Sequence, residues 1–114
     1  MVTVTLQPIN YLLYLDNSAL HAELSDYRIK EDVIPLNDAF LVDNLNPLTY
    51  MNTQTSKQDI GLIAHELQQY YPELVMGEKD GAYYQSVNYT GLIPILIKEI
   101  KELKNEVKIL KERK

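Results

Sequence analysis

Ser25 and Lys30 stand five positions apart in the stretch Ser25-Asp26-Tyr27-Arg28-Ile29-Lys30. A lysine amine that has lost its proton can take one from a serine hydroxyl, so the two residue types together make a nucleophile and its base. An amine in water is protonated at neutral pH, so this chemistry requires that Lys30 be desolvated. Spacing alone does not bring the two together. Five residues of helix turn through roughly 500°, which leaves the side chains on different faces, and in a strand they point to opposite sides. A bend between them is therefore required. The alternative is that Ser25 caps a turn and Lys30 is a solvated surface lysine. Arg28 is one of two arginines, and it serves either a structural ion pair with an acid or the chemistry itself. Metal chemistry has little to work with. His65-Glu66 begins like a zinc-protease motif, but position 69 is Gln69, and His21 and His65 are the two histidines of the chain. No Gly-rich phosphate loop is present, and no cofactor is called for.

The elements that must position these residues read as short strands and helices, an α+β arrangement. Val2, Val4 and Leu6 alternate, Tyr11 to Leu15 is a second β-like run, and Asp16-Asn17-Ser18 is a turn signal. The spacing of Leu36, Ala39, Phe40, Val42 and Leu45 predicts a helix over 36–46, with Asn37 as its N-cap and Pro47 as its stop. Leu48 to Met51 reads as a strand and Asn52 to Asp59 as a polar loop. Ile60 to Ala64 reads as a buried strand feeding a helix from His65 to Tyr71, which Pro72 closes. Val75-Met76 and Tyr83 to Val87 are expected to pair across the Asp80-Gly81 turn. Gly91 leads into a last helix over 92–112, with Pro94 tolerated in its first turn. Nine tyrosines are many for 114 residues and suggest amphipathic packing at a core edge or interface.

Length and composition bound the rest. A chain of 114 residues holds one modest core. The absence of cysteine excludes disulfides and thiolate metal sites. Apolar runs are far shorter than the roughly 20 residues that span a bilayer. The alternation at Met1-Val2-Thr3-Val4-Thr5 predicts a strand rather than a secretory signal. The net charge of −5 is uneven, since residues 1–90 hold 12 acids and 4 bases and residues 91–114 hold 4 acids and 7 bases. The acidic part disfavours nucleic acid. The basic tail interleaves acids and bases at helical spacing, the pattern of a solvated helix face.

The tail carries an assembly pattern. Ile93, Leu96, Ile100, Leu103, Val107 and Leu110 follow a 3-4-3-4-3 spacing, a heptad seam with Ile93, Ile100 and Val107 at a and Leu96, Leu103 and Leu110 at d. Glu99 and Glu106 then fall at g, and Lys104 and Lys111 at e. In a parallel assembly Glu99 would face Lys104 of the neighbour and Glu106 would face Lys111. Such exposed pairs contribute only a few tenths of a kcal/mol each, about 0.2–1 kcal/mol at most. The alternative is an amphipathic helix lying on its own domain. β-branched residues at a with leucine at d favour dimers, while Ile97 at e widens the apolar face and loosens that preference.

Four blocks, Ser25 to Val33, Ala39 to Tyr50, Gly61 to Val75 and Val87 to Leu103, occur in an order that resembles the C-terminal intramolecular chaperone domain of phage tail spikes and endosialidases. This domain, also known as peptidase S74, occurs in the myelin regulatory factor as well. The resemblance implies a homotrimer with a parallel trimeric coiled coil. It implies an upstream strand segment over 1–24, a residual stalk or client segment, and a chaperone domain over 25–114. It implies that the domain severs the Leu24–Ser25 bond, with Ser25 as nucleophile and Lys30 as base, and that Asp26, Arg28 and Glu66 support the site. Glu66 would position the site or favour the dipole of the helix beginning near His65. Direct hydrolysis and an acyl shift onto the serine oxygen followed by hydrolysis both remain open and give the same products. The implied setting is a virion or the host cytoplasm, with no nucleic acid or membrane as partner.

Overall fold

The computed structural model describes residues 22–113, and the chain divides into two compact units, Met1–Ile34 and Pro35–Lys114. The strands expected near 2–6 and 11–15 and the turn at 16–18 lie outside the described residues.

In the described part of the first unit, a single 3-10 turn at Tyr27–Ile29 interrupts extended backbone. Every residue from 22 to 34 is exposed. The second unit is built differently. Strands β1 (Leu48–Asn52) and β2 (Lys57–Gly61) form an antiparallel hairpin, with Leu48 opposite Gly61 and Asn52 opposite Lys57. Helix α1 (Ala64–Gln68) and a 3-10 turn at Pro72–Leu74 follow. The short strands β3 (Val75–Met76) and β4 (Ser86–Val87) then pair antiparallel. Gly77, at φ +88, turns the chain out of β3, and Asp80 takes a positive φ of 59 in the intervening loop. Helix α2 (Leu92–Glu112) ends the described chain. Gly91 precedes it because a Cβ there would run into Leu74 Cδ2.

The core is small. Leu67, Tyr71, Leu74, Val75 and Ile95 are its buried residues, with Leu36, Phe40, Val42, Leu45, Leu62 and Val87 packed on it. Phe40 stacks on Tyr71 with ring centroids 6.3 Å apart. Ile95 is the residue that α2 buries. The heptad residues face elsewhere: Ile93, Leu96, Ile100, Leu103, Val107 and Leu110 are all between 42% and 61% exposed. No helix among the described residues is long and apolar enough to cross a membrane.

Four expectations need correction. Residues 36–46 do not form a helix, because their backbone is held from outside. Val42 N–H donates to Glu99 Oε1 at 3.0 Å, Lys98 Nζ donates to the Phe40 carbonyl at 3.0 Å, and Tyr71 Oη donates to the Leu41 carbonyl at 2.7 Å. Asn37 still caps locally, accepting from Ala39 N–H, but the chain beyond it makes two isolated turns. The 52–59 loop is partly strand, since Asn52 Oδ1 gathers the N–H groups of Gln54 and Thr55 and Ser56 takes a φ of 59, closing a hairpin without glycine or proline. Consequently Ile60, expected to be buried, lies on a strand and is 76% exposed. The helix expected over 65–71 is shorter, ending at Gln68 before turns that carry Tyr71 into the core.

Candidate active site

The required bend is present. Asp26 caps the 3-10 turn, its Oδ1 accepting from Arg28 N–H at 2.8 Å. The Arg28 guanidinium returns to the same carboxylate, Nε to Oδ1 and Nη2 to Oδ2, both at 2.9 Å. This two-pronged geometry suits a planar guanidinium and a carboxylate. Lys30 N–H donates to the Tyr27 carbonyl at 3.1 Å, closing the turn. The tight turn puts residues 25 and 30 on one side, and Lys30 Nζ lies 2.6 Å from Ser25 Oγ, donating to it. Asp26 and Arg28 therefore act structurally in this arrangement. Their ion pair shapes the loop that joins Ser25 to Lys30.

The electrostatics of this loop are those of a surface. The Arg28 hydrogen bond holds the Asp26 carboxyl below the usual carboxylate range, and the same bond raises the Arg28 guanidinium. Both side chains are open to water, at 42% and 75% exposure. Ser25 and Lys30 are exposed as well. The geometry of a dyad is thus in place, while the desolvation that frees a lysine amine is not supplied by residues 22–34.

Glu66 stands in the second unit, in the first turn of α1, where its charge favours the helix N-terminus. It lines a small hollow with Asn44, Asn46 and Leu45. Glu99 departs from its expected part. Only 18% exposed, it accepts from Val42 N–H and lies 3.6 Å from Lys98, so it is engaged within its own chain rather than free for a neighbour's Lys104. Lys98, 10% exposed, also meets Glu102 at 3.2 Å. Burial pulls its amine down, but Glu102, Glu99 and Asp38 outweigh that and hold it above its usual value. Lys98 and Glu99 together hold the 40–42 backbone against α2. In the sequence they resemble any pair of charges on a helix, and no local signal marks them.

Residues 25–76 match the family described as chaperone of endosialidase, Peptidase S74. Through those residues the chain is similar to the Peptidase S74 family. The match begins at Ser25, the serine of the dyad geometry, and runs through α1 to the end of β3. Among curated proteins the chain is similar to the long tail fiber protein Gp37 of Escherichia phage AR1, 35% identical over 87 residues, covering 68% of this chain and 8% of that protein. It is also similar to the long tail fiber protein Gp37 of Salmonella phage S16, 31% identical over 105 residues, covering 77% of this chain and 14% of that protein. The chain therefore spans only a small part of the length of the curated relatives it matches. No solved structure matches it.

Proposed function

We propose that this chain is a self-cleaving intramolecular chaperone that promotes homotrimer assembly of an N-terminal fibre-like segment and cuts the Leu24–Ser25 bond. The single observation that carries the reading is the 2.6 Å approach of Lys30 Nζ to Ser25 Oγ, at the first residue of the family match. In the reaction, neutral Lys30 takes the Ser25 hydroxyl proton and Ser25 Oγ adds to the Leu24 carbonyl carbon. Backbone N–H groups stabilise the oxyanion. The C–N bond breaks, the leaving nitrogen takes a proton, and one water ends the cycle with a Leu24 carboxylate and a new amine at Ser25. The ester left on Ser25 Oγ when the C–N bond breaks is the acyl-shift intermediate that the water hydrolyses; direct hydrolysis, with water adding to the Leu24 carbonyl carbon, reaches the same products with the same balance.

The helix α2 supplies the assembly device in this reading. Its six heptad residues are exposed in the single chain although they are the most apolar stripe of the helix. Burying them between parallel copies is the simplest way to remove that surface from water. Lys30 is hydrated in one chain, so the reading makes cleavage a property of the assembled state, in which a neighbouring surface excludes water from the amine. Cleavage after assembly leaves a fibre that no longer carries its template and is hard to reverse. The tail-fibre relatives support a virion setting for the client segment.

The test is an intact mass of the purified oligomer. A product of residues 25–114, lost in Ser25→Ala and Lys30→Ala while the oligomer persists, supports the reading. A second reading, a trimerisation module that does not cut, is favoured by the full exposure of residues 22–34. It predicts an oligomer of intact chains in every variant.

A further inference from the structure

The flank of α2 that faces its own body opens on an apolar groove of about 330 Å³, lined by Val42, Leu45, Ile60, Tyr89, Leu92 and Leu96. Its walls are almost free of polar groups, and Ile60 at its rim is 76% exposed. The other flank of α2 presents Ile97, 53% exposed. In the heptad register Leu92 is a g position and Ile97 an e position. A g residue of one parallel chain meets the e residue five positions later on the next. Leu92 therefore faces the neighbour's Ile97, and Leu96, a seam residue, belongs to the groove as well.

We infer that the groove is the receptor for Ile97 of a second copy of this chain. The inference rests on the assembly reading above and adds to it where the globular body joins the coiled coil. Charge complementarity continues the same register further along the helix, where Glu106 would meet Lys111 of the next copy. Glu99, the intervening g residue, is bound to Val42 N–H. That contact fixes the 40–42 backbone leading to the groove wall at Val42 and Leu45, so the body and not an ion pair fills the g flank at that level. Each copy offers Ile97 on one flank and the groove on the other, so the contact repeats from chain to chain and closes into a ring. Fewer than three heptads are marginal in isolation, and docking side chains from the helix into the bodies supplies the further burial that a stable assembly needs.

The chain contains no cysteine, so two single variants report the contact cleanly. Ile60→Cys and Ile97→Cys chains, both altered at exposed positions, are mixed, refolded together and treated with a short bis-maleimide. Their oligomeric state is read in parallel by light scattering. The expected result is a trimer and a covalent 60–97 heterodimer by mass, which is lost when Leu103→Asp is added to both chains. Trimers that form without the 60–97 product would overturn the groove assignment and leave the assembly reading standing. Monomers alone would overturn both.

Discussion

The segment 22–34 and the body 35–113 are shaped by opposite means. The first has no buried residue and is shaped by polar contacts within six positions: an Asp26–Arg28 ion pair, one capped 3-10 turn and the Lys30–Ser25 hydrogen bond. The second is shaped by burial around Leu67, Tyr71 and Ile95, and its long helix keeps an apolar stripe in water. The Ser25–Lys30 approach is thus encoded locally, by a few neighbouring residues, whereas residues 22–34 do not supply the dry environment that the proposed reaction needs. The body is the reverse case, with surplus apolar surface and no dyad of its own among the described residues. This division is what the proposed cleavage on assembly requires.

The sharpest way to break the comparison is to damage each region and read the other. Leu67→Ala removes the most buried side chain and should cost about 2–5 kcal/mol. In so small a core that should unfold the body, seen as loss of cooperative thermal unfolding, and abolish assembly and cleavage together. Leu103→Asp, at a position 61% exposed, should leave the monomer folded by circular dichroism and eliminate the oligomer in light scattering. Cleavage should disappear with it.

Smaller changes sharpen the contrast. Tyr71→Phe deletes the hydrogen bond to the Leu41 carbonyl and should destabilise the body by about 1 kcal/mol. Burial raises the Tyr71 phenol above its ordinary value. Its contribution is therefore full below the unfolded phenol's titration and is lost as pH rises through the folded value. The body should weaken in alkali, and Tyr71→Phe should remove part of that dependence in pH-resolved unfolding. Asp26→Asn should leave the body's stability unchanged and slow cleavage only modestly, by about two- to fivefold, since exposed ion pairs contribute little. Because Arg28 lowers the Asp26 carboxyl, the intact loop keeps its pair down through the ordinary carboxylate range. It loses the pair only as pH falls through the lowered value, so the Asp26–Arg28 contact should persist below the ordinary carboxylate range, read as the Asp26 carboxyl titration by NMR.

The sequence is most legible where geometry is local. The strand at 48–51, the pairing of Val75-Met76 with residues near Val87, and the last helix with Pro94 in its first turn all follow from turn residues and periodicity. The need for a bend between Ser25 and Lys30 follows from helix and strand arithmetic, and Asp26 with Arg28 provides it. What the sequence hides is decided at long range. Residues 36–46 have helical spacing, yet Lys98, Glu99 and Tyr71 capture their backbone groups from elements about 30 to 58 positions away. Ser56 takes a left-handed conformation without glycine, so the first hairpin leaves no obvious mark. Glu99 matches a g-position acid by register, and only the fold turns it inward.

The most direct measurement is the mass of the wild-type chain after its monomer and oligomer have been separated at one pH and temperature. The oligomer should contain the 25–114 product, and the monomer should remain whole. An oligomer made entirely of uncut chains would contradict cleavage on assembly, as would a monomer that cuts itself equally fast.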